Sequence, residues 1–470
     1  MIEDGFSPLE DKTRCQKWQR NWHQERSLIG GILLMINSGM HVSWSIFNGE
    51  FGSQAWAEEA TVFEVLFVQI GFFIGSIVGG FNSGYFVDSL GRRKVIGLGI
   101  AAQLIGSIIT IFSARSVVAL IFARVISGYG HGTAYLALMI YAAEISTNQN
   151  RGKLISLIHM GFVSGIVLFS VMVPFTVAEK QIEIVHLMGV LSGALAVVAL
   201  PLHHFFTYES PAFLIKVGND LDGQENLVKF RNDKYITPEI RDEFQGLKDM
   251  VMRDSRFVGS IWRLSSFYFL LFLKMLSVIV FNYPLNVTRI NLAKATITSL
   301  QDYPFQPLLL SAIRFLFSLV IVFVIDGTGR KRSLSWSVRT SFIAMLVLSI
   351  GYVASSQTIP IIFNFAFELF SSMGTLMTID VYSGEALNMA KKGIGLSLAN
   401  CVENLFQIVL LSIGIGFGIT YVCSSAVLFV AAAYLLLFVF VNLPETRKVP
   451  LPDVTGKFTG ISFKLCFCKN

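Results

Sequence analysis

The sequence has few charged residues. Only 14% of its 470 residues are Asp, Glu, Lys or Arg, whereas a soluble domain usually has about 25%. It has five cysteines, and an odd number argues against a disulfide framework. It contains no glycine-rich phosphate loop, no cluster of metal ligands and no nucleophile–base set, and its polar segments are too short for a catalytic domain. These absences exclude an enzyme, a disordered chain and a nucleic-acid binder, and we expect no cofactor and no metal site.

Apolar residues make up 53% of the chain. The resulting total of about 250 residues matches what twelve spans of about 20–21 residues would need. Twelve apolar runs are found, and we therefore predict an all-α membrane protein with twelve transmembrane helices and the lipid bilayer as its surroundings. The runs lie near 27–48, 62–86, 95–113, 117–142, 152–173, 184–206, 265–286, 305–325, 335–354, 358–384, 394–418 and 420–442.

One long polar stretch divides the runs into two sets of six. We predict an N-terminal tail (1–26), a first six-helix bundle (27–206), a central loop (207–264), a second bundle (265–442) and a C-terminal tail (443–470). Lys and Arg are concentrated in the tails, in the central loop and in alternate short loops. Because such residues collect on the cytoplasmic side, both termini are expected to be cytoplasmic. We expect a monomeric, multi-pass protein of the plasma membrane.

The two halves share an internal repeat. The loop Gly84-x-x-x-Asp88-x-x-Gly91-Arg92-Arg93-Lys94 is matched 238 positions later by Asp326-x-x-Gly329-Arg330-Lys331-Arg332. Glu144 before Arg151-Gly152 is matched by Glu385 before Lys392-Gly393, at an offset of 241. Glu209-Ser210-Pro211 and Pro444-Glu445-Thr446-Arg447 close the two halves. Repeats of this kind are typical of transporters.

The repeated charges form a candidate cytoplasmic gate. Acidic and basic side chains at the ends of the spans can pair and hold the two halves together on that side, so that breaking the pairs would open the inner side. The alternative is ordinary loop charge that only fixes the orientation. The candidate gate residues are Asp88, Arg92, Arg93, Glu144, Arg151, Glu209, Asp326, Arg330, Glu385, Lys392 and Glu445.

These motifs, together with Arg124-x-x-x-Gly128 in span four, resemble those of the sugar porter family of the major facilitator superfamily. The resemblance covers about residues 27–448, and it is strongest to the insect trehalose- and glucose-transporter-like branch. It implies the major facilitator fold, with two pseudo-symmetric bundles around a central cavity. It also implies transport by alternating access of a hexose or a disaccharide, without a cofactor.

The chain departs from the family where the family reads sugar hydroxyls with neutral amides. The resemblance places Lys274 and Ser277 at the amide stretch of span seven, His159 at the glutamine of span five and Arg314 at the asparagine of span eight. Thr378 and Asp380 fall where span ten of the family carries prolines and a tryptophan. The predicted substrate cavity therefore consists of His41, His159, Lys274, Ser277, Arg314, Thr378, Asp380 and Glu403.

Three interpretations of the cavity charges stay open. They could form a compensating ion-pair network that only stabilises the bundle, because lone charges in a span are costly. They could form a site rebuilt for a charged or zwitterionic solute, or a sugar site with altered polar partners. Proton coupling would use His41 and Arg124, since span one has no acidic residue, and Asp380 and Glu403 are other candidates. The alternative for His41 is a polar packing role.

Two functions therefore compete. The first is a transporter of a small polar solute, a sugar of the hexose or trehalose type or a charged organic solute. The second is a transport-deficient sensor or scaffold derived from a sugar porter, which the lost amides favour and the retained gate charges disfavour. Asn286-Val287-Thr288 lies on the predicted outer side, which makes Asn286 a glycosylation candidate.

Overall fold

Long helices make up almost all of the described part of the chain. The computed structural model of the protein describes residues 14–47, 60–113, 116–179, 184–256, 259–287, 289, 306–354, 358–416 and 444–458. Within these ranges, eleven segments are long and apolar enough to cross a membrane. The predicted twelfth span, 420–442, lies outside the described residues.

Seven helices form the N-terminal part of the described chain, a short polar helix and six apolar helices. They are α1 (Arg14–Ser27), α2 (Ile29–Phe47), α3 (Val62–Ser89), α4 (Arg92–Phe112), α5 (Val117–Ile145), α6 (Arg151–Glu179) and α7 (Ile184–Phe206). We call α2–α7 the first half. Most predicted limits lie within three residues of these helices, although α6 runs further because its last turns continue past Pro174.

Three short helices separate the halves, and the described part of the second half follows. The short helices are α8 (Pro211–Lys216), α9 (Asp220–Arg231) and α10 (Pro238–Ser255). The second half contains α11 (Ser265–Val280), α12 (Gln306–Thr328), α13 (Arg330–Val353), α14 (Thr358–Ser372), α15 (Thr375–Glu385) and α16 (Met389–Gly416). A last short helix is α17 (Leu451–Phe458). The tenth apolar run is therefore two helices, α14 and α15, which meet at Gly374.

The repeated glycines set the sharp turns between α3 and α4 and between α12 and α13. Gly91 has φ 94° and Gly329 has φ 90°, values in the left-handed region that favours glycine. Each glycine directly precedes the first residue of the next helix. The Gly-Arg motifs therefore place Arg92 and Arg330 in the first turn of a helix, at the same end of the molecule.

Packing within the first half depends on close backbone approach. A side chain at Gly75 would overlap the carbonyl of Val125, and one at Gly128 would overlap that of Phe72. Small residues at such positions let two membrane helices pack with their backbones in contact. This packing fixes α5, which carries several residues of the site described below.

The two halves meet along two pseudo-symmetric helix pairs, α3 with α16 and α6 with α12. At the first pair, Gly80 faces Asn400 and Gly84 faces Ser397. Apolar residues of both halves, among them Ile155 and Val322, belong to one continuous buried cluster. The end of the bundle that carries Arg92, Arg151 and Arg330 is called the basic end below, and the halves are in contact there.

The short helices between the halves are fastened to the basic end. The carboxylate of Asp254, on α10, accepts a hydrogen bond from the backbone N–H of Met389 at 2.9 Å and so satisfies the start of α16. The ammonium of Lys216, on α8, lies 2.9 Å from the carboxylate of Asp88. The central segment therefore contacts both halves.

Candidate functional site

A cavity of about 100 Å³ lies between the two halves. At about 10–15 Å³ for each water-sized group, it holds several such groups, which is the scale of a small solute. Aromatic rings line part of its wall, from Phe72, Phe73, Phe162 and Phe281. The polar lining residues are His131, Tyr135, His159, Ser277, Asp380, Asn400, Glu403, Asn404 and Gln407.

Asp380, on α15, is the centre of a polar cluster at this cavity. Its Oδ1 accepts a hydrogen bond from the Tyr135 hydroxyl at 2.6 Å and lies 3.1 Å from the Lys274 ammonium. Its Oδ2 lies 2.7 Å from Nδ1 of His159. Both oxygens of this buried carboxylate are therefore satisfied, by two residues of the first half and one of the second.

Lys274 carries the positive charge of the same cluster. Its ammonium donates to the Tyr135 hydroxyl at 2.7 Å and lies 3.0 Å from Oε2 of Glu403. Oε1 of Glu403 accepts a hydrogen bond from Ser277 at 2.7 Å. The Lys274 side chain is 3% exposed and that of Glu403 is 23% exposed. One ammonium thus pairs with two carboxylates that line the cavity, of which Glu403 is the more exposed.

A second polar group lies beside the cavity wall in the first half. The guanidinium of Arg124 donates to the carbonyl of His41 at 3.0 Å, contacts Nδ1 of the same histidine at 3.0 Å and donates to Ser45. It also lies over the ring of Trp44. Among the described residues no carboxylate lies within ion-pair distance of Arg124. The His41 ring stacks on Phe72, which lines the cavity.

At the basic end, each half contains the same buried ion pair. Arg92 lies 2.8 Å from Glu144, and Arg330 lies 3.2 Å from Glu385. Each glutamate also accepts a hydroxyl hydrogen bond at 2.5 Å, Glu144 from Ser210 and Glu385 from Thr446. The sequence repeat is therefore also a repeat of contacts.

The closing glutamates of the two halves cap equivalent helices. Glu209 accepts hydrogen bonds from the backbone N–H groups of Arg92 at 3.0 Å and Arg93 at 3.2 Å. Glu445 accepts that of Arg330 at 3.1 Å. Carboxylates at a helix start satisfy free N–H groups and favour the helix dipole. Burial raises the pKa of Glu209 above its usual value, against the opposite effect of these N–H groups and of Arg92.

The contacts that cross between the halves at the basic end are made on one side. Arg151 of the first half lies 2.6 Å from Glu385 of the second. Asp326 of the second half accepts the backbone N–H groups of Gly152 at 3.1 Å and Lys153 at 2.8 Å. We call these contacts the α6–α12 lock.

On the other side, the equivalent residues do not form that lock. The carboxylate of Asp88 pairs with Lys216 at 2.9 Å and lies 3.6 Å from Arg92, both outside the second half. The ammonium of Lys392 is buried, and among the described residues no carboxylate lies within 4 Å of it. Equivalent charged residues of the sequence repeat therefore make different contacts in the two halves.

Comparison with known proteins decides the family. The family model described as "Sugar (and other) transporter" matches residues 25–458. This chain belongs to that family. The family is one of transporters, not of enzymes, and the protein is an integral multi-pass membrane protein.

Two relatives show how the family similarity is distributed along the chain. The facilitated glucose transporter member 2 of solute carrier family 2 from Sus scrofa is 24% identical over 452 residues, 90% of this chain and 84% of that protein. The proton myo-inositol cotransporter of Homo sapiens is 25% identical over 299 residues. That match covers 61% of this chain but 44% of the human protein, so the chain spans less than half the length of that relative.

Solved structures confirm the predicted fold. The proton:xylose symporter XylE bound to 6-bromo-6-deoxy-D-glucose matches with a TM-score of 0.75 at 18% identity, over 93% of this chain and 99% of that one. The TM-score is 0.62 for the inward open conformation of XylE from E. coli, at 16% identity over 94% and 99% of the chains. The family member described here therefore has the major facilitator fold. Its placement in the insect branch stays a prediction.

Arg314 is not where the sequence placed it in this family member. Neither Arg314 nor Lys274 is among the residues that line the cavity. Lys274 reaches the cavity residues Tyr135, Asp380 and Glu403, whereas the guanidinium of Arg314 lies 2.5 Å from Glu368 on α14 and over the ring of Phe281. Glu368 also pairs with Arg289. A carboxylate two spans further along the chain therefore compensates the charge of Arg314, behind the cavity wall.

Three other predicted residues also differ from expectation. Thr378 is fully buried and is not among the residues that line the cavity. Arg93 donates to the carbonyl of His204 at 2.7 Å, within its own half. Asn286 is 2% exposed, and its amide donates to the carbonyl of Asn282 at 2.9 Å. The amide nitrogen that a glycan would need is buried, and we do not retain this site.

The amides of α16 were not predicted as cavity residues from the sequence. Asn400, Asn404 and Gln407 all line the cavity, and their spacing of four and three residues places them on one helix face. That spacing within an apolar span was the available signal. Tyr135 and His131 were not predicted as cavity residues either. They lie one turn apart on α5, and their rings stack at a centroid distance of 5.5 Å.

Proposed function

We propose that the protein transports a small sugar, of the hexose or trehalose type, across a membrane by alternating access. The observation that carries the proposal is the cavity at the contact of two repeated halves, together with the α6–α12 lock at one end. A solute can leave through the basic end only after the two halves separate there, and the contact between Arg151 and Glu385 opposes that separation. Family membership supports the same function.

The polar lining favours a neutral, hydroxyl-rich solute. Asn400 and Asn404 face the cavity, and an amide both donates and accepts, which suits a hydroxyl group. The rings of Phe72, Phe162 and Phe281 offer apolar surface to the carbon face of a sugar. Lys274 is already paired with Asp380 and Glu403, which disfavours a role in binding an anionic solute.

The distribution of positive charge supports the orientation. We infer that the basic end is cytoplasmic, with both termini on that side, and that the structure is closed toward the cytoplasm. The higher TM-score to the sugar-bound structure than to the inward open one agrees with this state. The plasma membrane is the proposed location.

The test is uptake by the purified full-length protein in liposomes. Labelled D-glucose and trehalose should each be tested for equilibrium exchange, with protein-free liposomes and the Asp326→Asn/Arg151→Ala variant as controls. Saturable exchange of either sugar supports the proposal. Exchange of organic ions but of neither sugar would instead support a carrier of charged solutes. No exchange of any solute, from protein that remains monodisperse, would support the sensor or scaffold alternative.

A further inference from the structure

We propose that the cavity cluster formed by Tyr135, His159, Lys274, Asp380 and Glu403 binds one proton, carried by His159, and that this proton fastens the two halves at the cavity. The proposal deepens the proposed function, because it names a second ligand of the same site. It assigns proton binding to α6 and α15, and not to the His41–Arg124 pair.

The cluster bridges the two halves at the cavity. Tyr135 and His159 belong to the first half, and both contact Asp380 of the second, at 2.6 Å and 2.7 Å. Lys274 of the second half donates back to the Tyr135 hydroxyl at 2.7 Å. Any motion that separates α15 from α5 and α6 must break these bonds. The cluster is therefore a latch as well as part of the cavity lining.

The charges of the latch balance only with one additional proton. Lys274 contributes one positive charge, and Asp380 and Glu403 contribute two negative charges. With a neutral histidine the cluster carries a net charge of about −1, and a net charge inside a membrane protein is costly. One proton on His159 brings the sum to zero and turns its contact with Asp380 into a charge-assisted bond, which is roughly twice as strong as a neutral one.

The proton has a route and a defined place. Nδ1 of His159 contacts Asp380, so the ring changes its charge at Nε2. The His159 ring lines the cavity, so it can exchange a proton with water or a solute inside the cavity. The histidine side chain is 9% exposed, enough for exchange with water in the cavity while the pair with Asp380 stays shielded.

Other charges around His159 are accounted for. Glu144, Arg151, Lys153, Asp326, Glu385, Lys391 and Lys392 of these helices lie at the basic end. The other charged or histidine side chains of the packed helices, with Tyr135, are His41 on α2, Arg124 and His131 on α5, Lys274 on α11, Arg314 on α12, Asp380 on α15 and Glu403 on α16. Arg124 contacts His41, and Arg314 is held by Glu368. The pairings therefore leave the carboxylate excess at Asp380 and Glu403, next to His159.

The test measures the separation of the halves against pH. Spin labels are placed on Lys94→Cys and Arg332→Cys, two exposed positions in the first turns of α4 and α13, in full-length protein whose native cysteines are replaced. Pulsed electron resonance then gives the population of the long, open distance between pH 5 and pH 9. We expect this population to rise as the pH rises, by about tenfold, since a charge-assisted bond becomes a neutral one.

Three variants make the result specific. His159→Gln should abolish the pH dependence. Glu403→Gln should move its midpoint to lower pH by about one unit, because the histidine loses a nearby negative charge. His204→Gln, at an exposed histidine, should change nothing. If His159→Gln is not monodisperse, the midpoint of Glu403→Gln decides.

Several outcomes would overturn the proposal. These are an unchanged pH dependence in His159→Gln, its loss in His41→Gln with retention in His159→Gln, or an opening that follows sodium at constant pH. Sugar exchange is measured on the same preparations. Exchange without a pH-dependent distance refutes the proton latch alone. A latch that depends on His159 in a protein that exchanges no sugar refutes the proposed function alone.

Discussion

Replacing Arg151 with alanine should open the basic end, whereas replacing its repeat partner Lys392 should not. Arg151 and Glu385 lie 2.6 Å apart with side chains that are 1% and 0% exposed, and the pair joins the two halves. Lys392 is equally buried but lies beyond 4 Å of any carboxylate among the described residues. The two positions are matched by the repeat and differ in their contacts.

The magnitude follows from what remains after the change. Breaking a buried ion pair by removing one partner costs about 3–5 kcal/mol when the other is left alone. Glu385 would still contact Arg330 at 3.2 Å and the hydroxyl of Thr446, so we expect about 1–3 kcal/mol. Only the closed state contains the bond, so this energy acts on the closed–open equilibrium. It corresponds to roughly a 5- to 150-fold larger open population.

The assay is the distance between spin labels at positions 94 and 332, compared in Arg151→Ala, Lys392→Ala and Arg92→Ala at one pH. Arg92 pairs with Glu144 inside one half, so its loss should lower the melting temperature without favouring the open distance. The gate assignment would be refuted if Lys392→Ala opened the basic end as much as Arg151→Ala, or if Arg151→Ala only lowered the melting temperature.

Three further outcomes are expected. Asn400→Ala and Asn404→Ala should each weaken binding of the transported sugar by about 5- to 10-fold, because each loses one hydrogen bond. The control variant Gln245→Ala, on α10, should bind the sugar as the unchanged protein does. Equal affinities of all variants in competition assays would show that the amides are not part of the binding site. Lys274→Met leaves Asp380 and Glu403 without their cation and should lower the free energy of unfolding by about 3–5 kcal/mol. The double variant Lys274→Met/Glu403→Gln should recover part of this loss in thermal melts. A double variant no more stable than the single one would contradict the net charge assigned to the cluster. Burial raises the pKa of Glu209 above its usual value of 4.5, so the folded protein binds a proton at this carboxylate more tightly than the unfolded chain does. The free energy of unfolding therefore gains a contribution at acid pH, which is lost as the pH rises through the pKa of Glu209 in the folded protein. Glu209→Gln should flatten this part of the melting profile, and an unchanged slope would contradict the assignment.

The fold could be predicted because its determinants are local or repeated. Apolar runs gave the limits of α2–α7 to within a few residues for most helices, and Gly91 and Gly329 marked the turns. The repeat offsets predicted that Glu144 and Glu385 would be equivalent, and both pair with an arginine. Backbone hydrogen bonding and the membrane leave few alternatives for such segments.

The pairing of the charges could not be predicted, because it depends on contacts between helices. Glu368, the partner of Arg314, lies two spans away in the sequence, and nothing in the pattern selects it over Asp380, which belongs to the same apolar run. Similarly, Asp88 and Asp326 occupy equivalent motif positions but contact different groups. Side-chain partners across a helix interface follow from rotamers and helix rotation, which hydropathy does not specify.

The asymmetry of the basic end also fixes an order of events. Since α6 and α12 are tied by Asp326 and Arg151 while α3 and α16 meet at Gly84 and Ser397, the weaker edge should part first. The contacts between α6 and α12 would then be the last to separate. The first passage for water from the basic end would run beside Gly84 and Gly393, where no ion pair among the described residues joins α3 to α16.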